Sequence, residues 1–322
     1  MAGEMLWSTQ SGYLTNGQLN QKFQKAAQPL VKFRQFCKFK EAFGKSKGES
    51  VNWLKVGNVS TVGGSLTETD VMNKTKQSLT WGTLSVGEYG NSFDFSFKLE
   101  ALSEFDIVNI MREALLDDFV KCVDGVVERE FNETKLRYVG TATGGGDTTT
   151  DGTATATNTS ALNKYHIRQM VNQLKIRNVP GWSDLDGDYV FIGSVEGLEG
   201  LFSDLEGTIQ YQTDGYNKIL NGEVGRYYGV RFVEDTYATR YIYSASARTS
   251  TAKSWTKGLS LDGYMFGSPT VREAIVVPEE IRVKVPGDYG RDKGIAWYFL
   301  GGYQLEWDTA ADTRIIKWDS KA

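Results

Sequence analysis

The sequence predicts an α+β chain, and three observations predict it. A long stretch of period-2 hydrophobicity ends near residue 97. An amphipathic helical pattern of unusual length follows it. The last third is β-rich and is preceded by a region that alternates helix and strand. With 322 residues, 40% hydrophobic and 24% charged, the chain is long enough for one large or two ordinary domains and has a globular balance.

Taken in order, residues 1–16 are polar and predict an arm. In the stretch 17–43, Phe23, Ala26, Ala27 and Leu30 fit a short amphipathic helix that Pro29 limits. Residues 51–61 predict a strand and 77–97 a longer one, in which Phe93, Phe95 and Phe97 alternate with Ser92, Asp94 and Ser96. Trp53 and Trp81 fall in the same patterns. The polar segment 62–76 between them is too long for a tight turn, so the pair predicts a two-stranded ribbon, marginal alone in water and in need of another surface. Ser103, with Asp106 three residues on, predicts a helix start. Phe105, Val108, Met111, Leu115, Phe119, Cys122, Val123, Val126 and Val127 then recur at helical spacing, and the pattern runs to about Val139, a helix of roughly 50 Å.

Residues 140–159, rich in Gly and Thr, predict an exposed loop. Ser160 predicts an N-cap for a helix carrying Leu162, Tyr165, His166, Met170, Val171 and Leu174. A buried strand at 189–193, a short helix at 195–202 and short strands at 227–234, 240–245 and 259–266 make this part α/β-like. Beyond Pro269, strands are predicted at 274–277, 281–285, 295–300, 303–307 and 315–318.

Composition excludes several chemistries. One histidine, His166, and two cysteines, Cys37 and Cys122, give no zinc cluster and no disulfide framework, and favour a reducing compartment. Any triad would run through His166 alone, and a structural histidine is the commoner role. No cofactor and no metal are expected. The first residues lack the basic region and apolar core of a secretion signal, and no apolar run approaches the ~20 residues of a membrane span. Gly44-Lys45-Ser46 echoes a P-loop, but its first glycine would fall on Phe39. Asp184, Asp186, Gly187 and Asp188 echo a calcium loop, but Tyr189 and Val195 stand where glycine and an acid are needed, so a surface turn is expected.

The net charge of −4 conceals a segregation. Between residues 22 and 47, Lys22, Lys25, Lys32, Arg34, Lys38, Lys40, Lys45 and Lys47 face Glu41 alone, a local +7. Between Asn178 and Asn217 there are eight acids and no Lys or Arg.

Two stretches carry a resemblance. One runs Ala27-Gln-Pro-Leu-Val-Lys-Phe-Arg-Gln-Phe36, then Gly48-Glu-Ser-Val-Asn-Trp53 and Ser65-Leu-Thr-Glu68. The other is Leu220-Asn-Gly-Glu-Val-Gly-Arg-Tyr-Tyr-Gly-Val-Arg-Phe-Val-Glu-Asp235. With the order of parts, they make the chain similar to the major capsid proteins of tailed double-stranded-DNA bacteriophages, the HK97-like fold. The resemblance implies an N-terminal arm (1–47), an extended ribbon or E-loop (48–98), a P-domain of spine helix and closing strands (99–139 and 270–322) and an α/β A-domain (140–269). It implies pentamers and hexamers forming an icosahedral shell, not an enzyme. Trp53, Trp81, Phe93, Phe95 and Phe97 would be inter-subunit ribbon residues. Phe105, Val108, Met111, Leu115, Phe119 and Val123 would line the spine. Lys22, Lys25, Lys32, Arg34, Lys38 and Lys40 would face packaged DNA, bound through phosphates without regard to sequence, or a neighbour. A scaffolding protein, a portal and a decoration protein would be further partners, assembly would occur in the host cytoplasm, and no membrane is involved. An encapsulin-like compartment shell, or a soluble enzyme using carboxylates around Asp184, Asp186 and Asp188, are the alternatives.

Overall fold

A computed structural model describes residues 32–37, 39–42, 44, 46, 48–59, 63–209, 226–237, 241–244, 249–252 and 262–319. The chain runs β1 (Phe39–Ala42), β2 (Ser50–Val56), β3 (Leu79–Ser85), β4 (Gly87–Ser96), α1 (Phe97–Leu102), α2 (Ile107–Asn132), β5 (Leu136–Ala142), β6 (Gly145–Thr149), α3 (Lys164–Ile176), β7 (Tyr189–Gly193), α4 (Val195–Ile209), β8 (Arg226–Tyr227), β9 (Val230–Glu234), β10 (Tyr241–Ser244), β11 (Thr249–Ala252), β12 (Gly263–Phe266), β13 (Val271–Val283), β14 (Asp292–Leu305) and β15 (Ile315–Trp318). A four-stranded sheet has the order β1-β13-β14-β4, and a seven-stranded sheet the order β6-β5-β15-β12-β7-β9-β8. The pairs β2-β3 and β10-β11 stand apart.

The spine helix α2 organises both large sheets. Met111, Leu115, Phe119 and Val123 recur every fourth residue, so they stack on one face. Phe119 meets Trp297 and Phe299 of the four-stranded sheet edge-on, at 5.3 and 6.0 Å between centroids. One end of the helix turns to the other sheet, where Phe131 lies 5.1 Å from Phe266. The seven-stranded sheet is covered on both faces. Val190 and Ile192 of β7 join the spine core, while Tyr189 and Phe191 join a second core with α3 and α4. That double cover is why β7 reads as an unbroken apolar run rather than an alternation.

The helix is shorter than its apolar pattern suggests. Asp106, whose carboxylate accepts from the Asn109 N–H at 3.1 Å, caps it, and it ends at Asn132 after about 39 Å. Ser103 instead closes α1, which Ser96 opens. Phe105 therefore lies ahead of the spine helix, and Val108 sits on its exposed side while Ile107 is buried. Beyond the helix, Leu136–Ala142 is a strand because Leu136, Arg137 and Tyr138 pair in parallel with Ile316, Lys317 and Trp318. Those same pairs move β15 into the seven-stranded sheet, away from the other closing strands.

Other expectations change for similar reasons. Only 79–85 pairs with β2; residues 87–96 pair with β14. Phe95 is buried under the spine and Phe93 packs beside it, so neither belongs to the ribbon, and Phe97 opens α1 with Lys293 Nζ 4.9 Å over its ring. The loop 140–159 contains β6, paired with β5. Asn163, not Ser160, caps α3. The helix expected at 195–202 continues to Ile209.

The arm enters the fold at a charged junction. Asp124 of the spine accepts the backbone N–H groups of Lys32, Phe33 and Arg34 at 3.2, 2.7 and 3.1 Å. Burial, with Asp235 nearby, pushes its carboxyl up to about 7 against those three donors. The Arg34 guanidinium lies beside the rings of Phe119 and Phe299, 5.5 and 5.8 Å from their centroids, and pairs with fully buried Glu273 at 2.9 Å; Tyr303 donates to the same carboxylate at 2.8 Å. Replacing Glu273 by Ala leaves that guanidinium only the exposed Glu279, at 3.6 Å, and takes the acceptor from Tyr303, so unfolding by denaturant should report a loss of about 3 kcal/mol. An unchanged midpoint would mean that the junction is incidental to stability.

Candidate functional site: the ribbon and its open face

The ribbon pairs Ser50 to Val56 with Ser85 to Leu79, so alternate residues share a face. The inner face is riveted to the four-stranded sheet. Val51, Trp53 and Leu84 cluster with Ala274 of β13. The Trp53 ring takes the Arg272 guanidinium at 4.9 Å and Lys55 Nζ at 5.6 Å. Arg272 also pairs with Glu306, and buried Lys55 reaches Asp308 at 2.8 Å. Gly82 is needed opposite Trp53, since a Cβ there would fall 2.2 Å from the indole.

The outer face is open. Leu54 pairs across with Trp81 and Val56 with Leu79, and Trp81 keeps 71% of its surface exposed. The segment joining the strands adds exposed Val71 and Met72. Contiguous exposed apolar surface of this kind marks an interaction site rather than scatter. The far end of the β13–β14 hairpin is a second such surface. Val283 and Val285 are exposed there, while alternate residues form ion pairs, Arg282 with Glu280 at 2.6 Å and Lys284 with Asp292 at 2.8 Å. Val108, Leu116 and Val120 leave a third, along the outside of the spine.

Of the expected interface residues, Trp81 lies on the open face, Trp53 on the inner one, and Phe93, Phe95 and Phe97 outside the ribbon. Met111, Leu115, Phe119 and Val123 line the spine core. Of the basic residues, Lys22, Lys25 and Lys38 lie outside the described residues, and Lys40 is described in its backbone alone, on β1 beside Glu273. Lys32 is half-buried at the junction. Arg34 pairs within the chain, with Glu273 at 2.9 Å and Glu279 at 3.6 Å.

The acidic turn is answered internally. Asp188 is buried and pairs with Arg226 at 2.5 Å and Arg231 at 3.1 Å; Arg231 also holds Asp186 at 3.1 Å. Among the described residues, no group of three or more His, Cys, Asp or Glu side chains is placed to hold a metal ion. His166 is buried, with Tyr138 Oη at 3.0 Å from Nδ1, Ser160 Oγ at 3.2 Å from Nε2 and Trp318 against the ring.

The residues that anchor the ribbon and the arm, Arg272, Glu273 and Asp124, were not singled out from the sequence. A signal existed: Asp124 and Glu128 are charges one turn apart in the apolar stripe of a helix, which marks them as buried and partnered.

No family model and no curated protein matches the sequence. Solved structures match the fold over almost the whole chain. The capsid of cyanophage P-SCSP1u has a TM-score of 0.65 at 12% identity, covering 97% of this chain and 94% of that one. The capsid of Ralstonia phage GP4 has a TM-score of 0.64 at 14% identity, covering 95% and 96%. The native GTA particle capsid has a TM-score of 0.57 at 14% identity, covering 98% of each. The chain has the fold of these phage capsid subunits, the HK97-like fold.

Burial pushes the His166 pKa down from 6.5 to about 4. The unfolded chain then binds a proton there more readily than the folded one, so this contribution is whole above pH 6.5 and is lost as the pH falls toward 4. His166→Gln should abolish that part of the acid sensitivity. The check is the difference in unfolding midpoint between parent and variant at pH 7 and pH 5, and a constant difference would refute the assignment.

Proposed function

We propose that the chain is a major capsid protein, which assembles through pentamers and hexamers into an icosahedral shell around double-stranded DNA. The observation that carries this reading is the capsid-subunit fold over nearly the full length, joined to a ribbon whose outer apolar face has no cover within the described chain. The ribbon supplies what a shell needs. A segment anchored on one face by Trp53 and Lys55 offers Leu54, Val56, Leu79 and Trp81 to a neighbour. Contacts between unlike surfaces of identical chains close into rings. In this reading the spine helix and the four-stranded sheet form the P-domain, and the seven-stranded sheet with α3 and α4 forms the A-domain, which takes in Leu136–Ala142 and Ile315–Trp318. The role is structural, and the shell belongs to the virion, assembled in the host cytoplasm with a scaffolding protein, a portal and decoration proteins as partners.

Electron microscopy and light scattering of the purified chain test this directly. Rings of five or six, tubes or closed particles are expected. A chain that stays monomeric at high concentration and with its scaffold would overturn the reading. Trp81→Asp with Leu54→Asp should leave the thermal midpoint near that of the parent, because both side chains already face water. It should abolish assembly, since charges would enter an apolar contact. Assembly at the parental concentration would remove the ribbon from the interface.

The basic stretch is assigned to the genome. With Arg34 set aside, Lys22, Lys25 and Lys32 replaced by Gln should lower the DNA content of particles, measured by absorbance ratio, while shells still form. Particles with full DNA content would move the basic stretch to another partner.

A further inference from the structure

The apolar stripe on the outside of α2 ends at an anchor. Val108, Leu116, Val120 and Asp124 are spaced by multiples of four, so they follow one another along the helix. Asp124 is buried and accepts the backbone N–H groups of Lys32, Phe33 and Arg34. Leu116 and Val120 lie about two turns and one turn before it, and each keeps 44% of its surface exposed.

The entering chain meets the helix on this line. Phe33 turns toward the far end of α2, against Phe131 at 5.3 Å. Lys32, the first described residue, instead lines a hollow of about 200 Å³ together with Gln35, Val120 and Val123. Residues 1–31 lie outside the described residues, but connectivity limits where they go. Each residue extends a chain by at most about 3.6 Å, so Leu30 stays within about 7 Å of Lys32. In the sequence, Phe23, Ala26, Ala27 and Leu30 share the spacing of one helical face, and Lys25 falls opposite them. Wound at that spacing, Phe23 falls about 14 Å from Lys32, while Leu116 lies about 12 Å from Asp124 along α2. The apolar face and the apolar stripe therefore start from one anchor and agree in length. A segment tethered this closely meets the stripe at an effective concentration on the order of millimolar, which a neighbour's surface would have to outcompete.

We propose that residues 23–30 dock their apolar face on Leu116 and Val120 of the same chain's spine helix, with the Asp124 junction as the fixed end. The occupant is the chain's own arm, and the inference stands whether or not the chain forms a shell. Docking turns Lys25 away from the spine, which leaves it available for the phosphate contacts assigned to the basic stretch.

Proteolysis and cross-linking of the dilute full-length chain test it. Trypsin should cut slowly after Lys22 and Lys25 in the parent, and at least about tenfold faster in Leu116→Asp with Val120→Asp, because a protease acts on the undocked segment. The thermal midpoint should stay close to that of the parent; where the Asp variant unfolds, Leu116→Ser with Val120→Ser replaces it, with a smaller acceleration expected. Equal cleavage rates in folded parent and variant overturn the proposal. Ala27→Cys with Val120→Cys, oxidised in a mixture of isotopically light and heavy chains, should form that disulfide within single chains, and peptide mass spectrometry separates it from any bond to Cys37 or Cys122. Absence of the 27–120 bond overturns the proposal. Bonds joining light to heavy chains do so too, since they give the stripe to a second copy. Whether the parent assembles into rings is read separately and bears on the shell reading alone.

Discussion

Everything in the fold leans on the burial of one helix against two sheets at once. The inward residues of α2 serve the four-stranded sheet through Phe119 and the seven-stranded sheet through Phe131, and the entering arm packs Phe33 against Phe131 at 5.3 Å. A helix satisfying three partners tolerates little movement, because close-packed interiors transmit a shift rather than absorb it. The two sheets are thereby held in one frame from which the ribbon projects.

The polar groups inside this frame follow the same logic. Asp124 and Glu128 stand one turn apart on the buried side of α2. The first ties the arm through three backbone donors, and the second accepts from the Tyr264 hydroxyl at 2.5 Å. At the end of the helix, Lys317 of β15 reaches Asn132 Oδ1 at 2.7 Å and Asp262 at 3.3 Å. Each of these buried charges has a partner on a different element. These contacts fix register where apolar packing alone would permit sliding, and losing one partner is costly because the other cannot reach water.

The ribbon inverts this economy. Its inner face is secured by a tryptophan with two cations over its ring and by a glycine that lets the indole lie flat. Its outer face spends apolar residues on solvent. In an isolated molecule such residues gain nothing from folding; against a neighbouring copy they bury the same area that a core residue would. The geometry of the single chain is thus incomplete by design, and the proposed function is the completion.

Much of the frame was legible in the sequence. Strand patterns located β2 and, as a single run over 77–97, β3 with β4, helical spacing located the spine, and the apolar run at 189–193 marked β7 as buried, because burial imposes those spacings locally. Other features were decided only by tertiary structure. Phe93 and Phe95 have the pattern of a ribbon strand, yet β14 claims them for the core. The helical spacing runs past Asn132, yet pairing with β15 makes Leu136–Ala142 a strand. Arg34 belongs to a run of eight basic residues, yet a buried glutamate 239 positions away takes its charge. Periodicity reports that a face is buried and at what repeat. It does not report against what, because strand pairing and charge pairing depend on residues far apart in sequence that only the fold brings within hydrogen-bonding range.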